Sequence, residues 1–285
     1  MSDEWILTLS CADRVGIVAG VSRFLADHDG FIVDSQQYAD LETDRFFMRV
    51  RFVPRGERFP PPGRMHAAFA PVAAALALDW TLTQARDKPR AVVAVSRGSH
   101  CLADLLHRQA SGALAMDMAA VVSNHDNLRA MTEWHGLPFH HLPVDDASRP
   151  AQEAAILSIM EESGADYLIL ARYMQVLSSD LVERLAGRCI NIHHSFLPGF
   201  KGARPYHRAH ARGVKLIGAT AHFVTSELDE GPIVEQAVER VDHRDSVDDM
   251  IRIGRDIESR VLSRAVDAVG ARRVFLNDGK TVIFR

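Results

Sequence analysis

Between residues 91 and 193, five short apolar runs (91–96, 118–123, 139–142, 167–170 and 189–193) alternate with longer stretches of helical periodicity. No other feature restricts the fold as tightly. Strands apolar along their whole length must be covered on both faces, and a helix between successive strands returns the chain so that they lie parallel. The pattern predicts a Rossmann-like, mostly parallel α/β sheet, in which ligands gather at the carboxyl ends of strands. Two more strands are expected over 216–223 and 233–241, then an amphipathic helix over 247–269. The turn Asn277-Asp278-Gly279-Lys280 joins two short final strands. Gly112, Gly136 and Gly164 read as helix caps and turns.

The preceding segment has a different rhythm. A strand over 5–10 leads through Asp13-Arg14-Val15-Gly16 into a helix whose apolar positions Ile17, Val18, Val21, Phe24 and Leu25 are read as one face, stopped at Asp29-Gly30. Two β-rich runs, 31–38 and 46–53, flank the polar turn Glu42-Thr43-Asp44-Arg45 and read as a hairpin. After the breaker Phe59-Pro60-Pro61-Pro62-Gly63 come a helix over 65–78 and a strand over 80–84. The order βαββαβ is ferredoxin-like: a small antiparallel sheet with both helices on one face. The polar stretch 85–90 then divides the chain into expected domains at 1–86 and 87–285, and 285 residues suffice for two cores.

Lys and Arg number 33 against 37 Asp and Glu, a net charge of −4 that supplies no broad cationic surface for nucleic acid or anionic lipid. A small-molecule partner is expected instead. Cys11, Cys101 and Cys189 are odd in number, far apart and without CxxC spacing, which suits reduced thiols. With no basic, apolar leader and no membrane-length run, the expected location is the cytoplasm.

Chemistry concentrates in Asn191-Ile192-His193-His194-Ser195-Phe196-Leu197-Pro198. Asn191 and His193 share a face at the carboxyl end of their strand, which offers an amide and an imidazole together. The polar segment 225–231 leaves the strand ending at Phe223 and can bring Asp229 to the same place. A lone His or Asp at a strand end is ordinarily a satisfied turn residue, and that plainer reading stands beside the catalytic one. His193-His194 lacks HExxH, CxxC or a carboxylate at ligand spacing, so no metal is expected. Ser195 has no GxSxG elbow and Cys101 no placed base, so neither is read as a nucleophile. Tyr173, Met174, Gln175, Val176 and Leu177 suit core packing and the wall of an aromatic pocket equally.

At these residues the sequence resembles the folate-dependent formyltransferases, whose site combines an Asn-x-His strand end, a Ser-x-Leu-Pro loop and a later Asp; here Asn191, His193, 195–198 and Asp229. The resemblance tightens to the formyltetrahydrofolate deformylases through 191–198, 202–206, 212–222 and Leu228-Asp229-Glu230-Gly231-Pro232-Ile233. Further matches lie at 100–106, 122–125, 138–141 and 170–175, so nearly the whole chain is covered.

The resemblance implies hydrolysis of 10-formyltetrahydrofolate to tetrahydrofolate and formate, without metal or separate cofactor, balancing folate pools and supplying formate for purine synthesis. Asp229 would activate water while Asn191 and a protonated His193 stabilise the oxyanion. The pterin would lie against 173–177 and the 225–231 loop, with His222, Ser226, Leu228 and Gly231 as further contacts. The first domain would be an ACT domain. An amino-acid effector is implied at its first loop, near Asp13 and Gly16, in a homo-oligomer (dimer or tetramer). Such domains often carry Asn after the first helix's Gly; here Gly30 is followed by Phe31. The alternative is formyl transfer to an amine acceptor. Against it, the loop 96–102 has one glycine and continues His100-Cys101-Leu102, a poor cradle for an acceptor's phosphate.

Overall fold

A computed structural model describes residues 4–199 and 205–285, so part of the 202–206 motif lies outside the described residues. The chain divides into two compact units.

The first unit runs β1 (Trp5–Ala12), α1 (Ile17–Asp27), β2 (Gly30–Asp40), β3 (Arg45–Pro54), α2 (Pro62–Leu76) and β4 (Asp79–Gln84), with sheet order β2-β3-β1-β4. The pairings of β1 with β3 and β4, and of β2 with β3, are antiparallel, as the ferredoxin-like pattern requires. Its core joins Leu7 and Leu9 of β1 to Val21, Phe24 and Leu25 of α1 and to Met65 and Phe69 of α2. Val18 departs from the expected face: it is 38 % exposed, because one residue after Ile17 the helix has turned by about 100°. Pro62, read as a breaker, instead opens α2, where a missing N–H costs no intrahelical bond.

The second unit contains β5 (Arg90–Val95), α3 (His100–Ala110), β6 (Asp117–Ser123), α4 (Arg129–Trp134), β7 (Phe139–His141), α5 (Arg149–Ser163), β8 (Tyr167–Leu170), α6 (Ser179–Arg184), β9 (Cys189–His193), α7 (Pro205–Arg212), β10 (Leu216–Phe223), β11 (Ile233–Arg240) and α8 (Val247–Gly270). The sheet order is β11-β10-β9-β8-β5-β6-β7. Strands β5 to β9 pair parallel, whereas β10 and β11 are antiparallel additions at one edge. The central strand β5 is buried from Ala91 through Val95 because helices cover both faces. The chain builds outward from β5 through β6 and β7, then returns to its other side with β8 and β9. That reversal opens a crevice at the carboxyl ends of β5 and β8.

The last strands, β12 (Val274–Asn277) and β13 (Lys280–Ile283), enclose Asp278 and Gly279, both with positive φ as a tight hairpin demands. Residues 272–278 and 282–285 group with the first unit, a feature invisible to a linear boundary at 86/87. Asn277 donates to Asp40, and the Phe275 and Phe47 rings meet edge-on at 5.7 Å. Gly112, Gly136 and Gly164 adopt positive φ at helix ends and turns, as expected. Among the described residues, no helix is long and apolar enough to cross a membrane.

Candidate active site

The site is set first by register. β9 pairs with β10 so that Asn191 faces His222 and His193 faces Thr220. Cross-strand neighbours are within reach of long polar side chains, and Asn191 Nδ2 lies 3.2 Å from His222 Nε2. The Phe223 carbonyl accepts from His222 Nδ1 at 2.9 Å. With the proton on Nδ1, neutral His222 offers its Nε2 lone pair to the Asn191 amide. Asn191 is thereby oriented by a partner whose tautomer the backbone fixes.

Asp229 arrives from the loop after β10. The loop folds tightly: Phe223 N–H donates to the Pro232 carbonyl at 2.9 Å, and Glu230 N–H to the Glu227 carbonyl at 3.3 Å. Asp229 itself has φ +59°, a left-handed conformation that Asp and Asn tolerate better than other side chains. The result is an Asp229 Oδ1 to His193 Nδ1 distance of 3.2 Å, with His222 Nε2 at 3.7 Å. The bond from His193 holds the Asp229 carboxyl well below the usual carboxylate range, against the opposing effect of burial. His193 is 6 % exposed, and its Nε2 is buried with no hydrogen-bond partner among the described residues. A buried nitrogen left in that state carries a desolvation cost, and such groups concentrate where a ligand completes the bonding.

A cavity of about 590 Å³ opens over this trio. Of the residues expected to contact substrate, Tyr173, Met174, Gln175, Val176, Leu177, His222, Ser226 and Leu228 line it. Tyr173 has both of the roles its sequence left open: it belongs to the apolar core, its hydroxyl accepts from Gln152 at 2.6 Å, and its ring walls the cavity. Met174, Val176 and Leu228 are exposed, apolar lips suited to a flat ring. Gly231 does not line the cavity. A Cβ there would sit 1.8 Å from the Phe223 carbonyl, so its role is close backbone packing that returns the loop to β11. Asp13 and Gly16 lie in the first unit; Asp13 N–H bonds the Asp44 carbonyl and Gly16 precedes α1 with φ +101°.

Ser195 and Thr220 have structural partners. Ser195 donates to the Gly199 carbonyl at 2.8 Å, and Thr220 Oγ1 donates to the Ser195 carbonyl at 2.9 Å, which pins the loop after β9. Cys101 is buried, and burial pushes its thiol far up, away from the thiolate a nucleophile needs.

Sequence reasoning missed a second polar cluster beside the trio, centred on Glu258 of α8. His100 Nε2 and Arg172 Nε lie 2.8 Å and 3.3 Å from Glu258 Oε2, and Tyr206 donates to Oε1 at 2.8 Å. Burial acts to raise the Glu258 carboxyl, but these three partners outweigh it and hold the group below its ordinary range. His100, Cys101 and Glu258 place possible metal-ligand atoms within 4.8 Å of one another. However, the carboxylate oxygen nearest His100 also binds the Arg172 cation, which accounts for the cluster as an ion-pair network. A signal did exist: Gly254 and Glu258 fall on the buried stripe of α8, with Met250, Ile257 and Val261. A helix-disfavouring residue and an acid on an apolar face both ask for a reason.

The formyl transferase family model matches residues 89–266. A formyltetrahydrofolate deformylase of a Corynebacterium species is 46% identical over 281 residues, covering 98% of this chain and 98% of its own. The crystal structure of a formyltetrahydrofolate deformylase from Burkholderia mallei is 48% identical and superposes with a TM-score of 0.94, covering 99% of this chain and 100% of that one. The glycinamide ribonucleotide transformylase 1 of Symbiobacterium toebii is 29% identical over 70% of this chain, with a TM-score of 0.65 and 95% of its own length covered.

Proposed function

The chain belongs to the formyl transferase family, and within it to the formyltetrahydrofolate deformylases. From that premise we propose that it hydrolyses 10-formyltetrahydrofolate to tetrahydrofolate and formate in the cavity above Asn191, His193 and Asp229. The observation that carries this is the 3.2 Å contact between Asp229 Oδ1 and His193 Nδ1, with His193 Nε2 buried and unbonded among the described residues.

Both imidazole contacts fall on Asp229 Oδ1, so Oδ2 is the oxygen that orients the attacking water. Water adds to the formyl carbon, its proton passes to Asp229, and the carbonyl oxygen becomes an oxyanion. Asn191 Nδ2–H and a protonated His193 Nε2–H donate to that oxygen. They favour the charged intermediate over the neutral amide. The carboxylate is a weak base while His193 holds it anionic. A pterin seated against Tyr173 and Leu177 expels solvent, and desolvation raises the carboxyl toward a useful range. Asp229 then returns its proton to the folate nitrogen as the C–N bond breaks, and formic acid leaves, losing its own proton to solvent as formate.

Water is favoured over an amine as acceptor because the relatives matched over nearly the whole chain are formyltetrahydrofolate deformylases, whereas the transformylase matches 70% of it. The loop before α3 does not decide the point: His100 turns into the Glu258 cluster, but Arg97, Arg172 and Arg255 still border a cavity of about 390 Å³ there. The deciding assay incubates the purified protein with 10-formyltetrahydrofolate alone. Formate and tetrahydrofolate should appear in equal amounts, and release that requires an added amine would establish transfer instead.

The first unit is proposed to act as an ACT domain in a homo-oligomer, dimer or tetramer, with an amino-acid effector near Asp13 and Gly16. Glycine and methionine titrations test this, and unchanged activity and melting would remove the effector. The three buried, unpaired cysteines support a cytoplasmic location.

A further inference from the structure

His194 is stacked on His193, the ring centroids 4.8 Å apart and the planes inclined by 21°. Arg172 Nη1 donates to His194 Nδ1. An arginine is permanently protonated, so the nitrogen facing it must carry a lone pair, and His194 is neutral while that bond stands. Arg172 is in turn tied to Glu258 Oε2 through Nε. The fold is shaped to supply this anchor. Tyr206 reaches Glu258 across α8 only because residue 254 has no side chain: a Cβ at Gly254 would lie 2.0 Å from the Tyr206 hydroxyl. Arg172 itself holds φ +64°, a strained setting for a non-glycine residue that surrounding contacts must maintain.

We propose that Glu258 is a positioning residue for the hydrolysis: by fixing Arg172 it keeps His194 a neutral acceptor, so the positive charge of the stacked pair falls on His193. This rests on the reading of His193 as the cationic oxyanion donor. Two imidazolium rings stacked this closely repel, so a protonated His194 would drain charge from the ring that needs it. Among the described residues, the charged and titratable groups around the network are His100, Cys101 and Asp104 from α3, Arg172 after β8, Tyr206 from α7, Arg255 of α8, Arg97 and His125 across the adjoining cavity, and His193 with Asp229 and His222 beyond it. Of these, Asp229 compensates charge on His193, and Arg172 donates to His194 from a fixed cation.

Histidine nitrogen NMR on the full-length protein reads the state directly, with His194→Phe assigning the resonance. Wild type should show an unprotonated His194 Nδ1 from about pH 6 to about pH 8, and Glu258→Gln should protonate it toward the acid end. In formate release, Glu258→Gln should lower kcat about tenfold more at pH 6 than at pH 8, with KM changed less than about threefold. Glu258→Asp should restore the wild-type profile. In a His194→Phe background, where the stacked ring cannot ionise, Glu258→Gln should lose its pH dependence. If Glu258→Gln does not fold, Arg172→Lys, which keeps the charge but loses the fork, takes its place with the same expectation.

A loss equal at both pH values, a pH dependence surviving in the His194→Phe background, or a protonated His194 Nδ1 in the wild type would overturn the proposal. Asp229→Asn keeps the underlying reading separate. Turnover retained there defeats the Asp229–His193 reading itself. An inactive Asp229→Asn with an unmoved His194 under Glu258→Gln defeats only the positioning role.

Discussion

Replacing Asp229 by Asn removes one charge and almost nothing else. The substitution keeps volume, and Asn tolerates the φ of +59° that the loop imposes, so the fold should survive. Two things are lost. The first is the base that takes the water proton, ordinarily worth about 10²–10⁴ in rate. The second is the countercharge 3.2 Å from His193 Nδ1. At an effective dielectric of about 20, an ion pair at that distance has a gross attraction of about 5 kcal/mol, a ceiling that desolvation and screening reduce. Taking the middle of the base range and letting part of the ion pair overlap with it gives a loss of about 10³ in kcat, or ~4 kcal/mol. KM should stay within about threefold, because the pterin walls are untouched. Single-turnover formate release from 10-formyltetrahydrofolate measures this directly. A variant retaining more than about a tenth of wild-type kcat would refute the assignment of Asp229, since no base and no countercharge of this kind contributes so little.

Asn191→Ala removes one oxyanion donor and should lower kcat by about 10² with little change in KM; a change confined to KM would mean that Asn191 only binds ground-state folate. The Asp229 carboxyl titrates lower folded than unfolded, so its stabilisation is present above about pH 4 and is lost as pH falls toward the folded value. The melting temperature of wild type minus that of Asp229→Asn should therefore shrink on acidification from about pH 6 to about pH 3, and a constant difference would contradict the ion-pair origin of the shift. Gly231→Ala places a methyl 1.8 Å from the Phe223 carbonyl and should cost about 3 kcal/mol or more by urea unfolding, with turnover falling as the Asp229 loop shifts.

Periodicity made most of the fold legible in the sequence. The run from Ala91 to Val95 could only be a strand covered on both faces, and its alternation with helices fixed a parallel sheet. Asn191 and His193 could be paired from the two-residue repeat of a strand, and local geometry needs no distant information. Tertiary structure decided what depends on residues far apart in the chain. The β9/β10 register brought His222 against Asn191, the glycine-tight return at Gly231 brought Asp229 against His193, and α8 brought Glu258 to Arg172. Strand β12 joined the first unit through Asn277 and Phe275. Side-chain identity and short-range pattern determine which elements form. The protonation state and direction of a catalytic group depend on which charges the packed chain places a few ångströms away, because electrostatic interactions in a buried site change steeply with distance and solvent access.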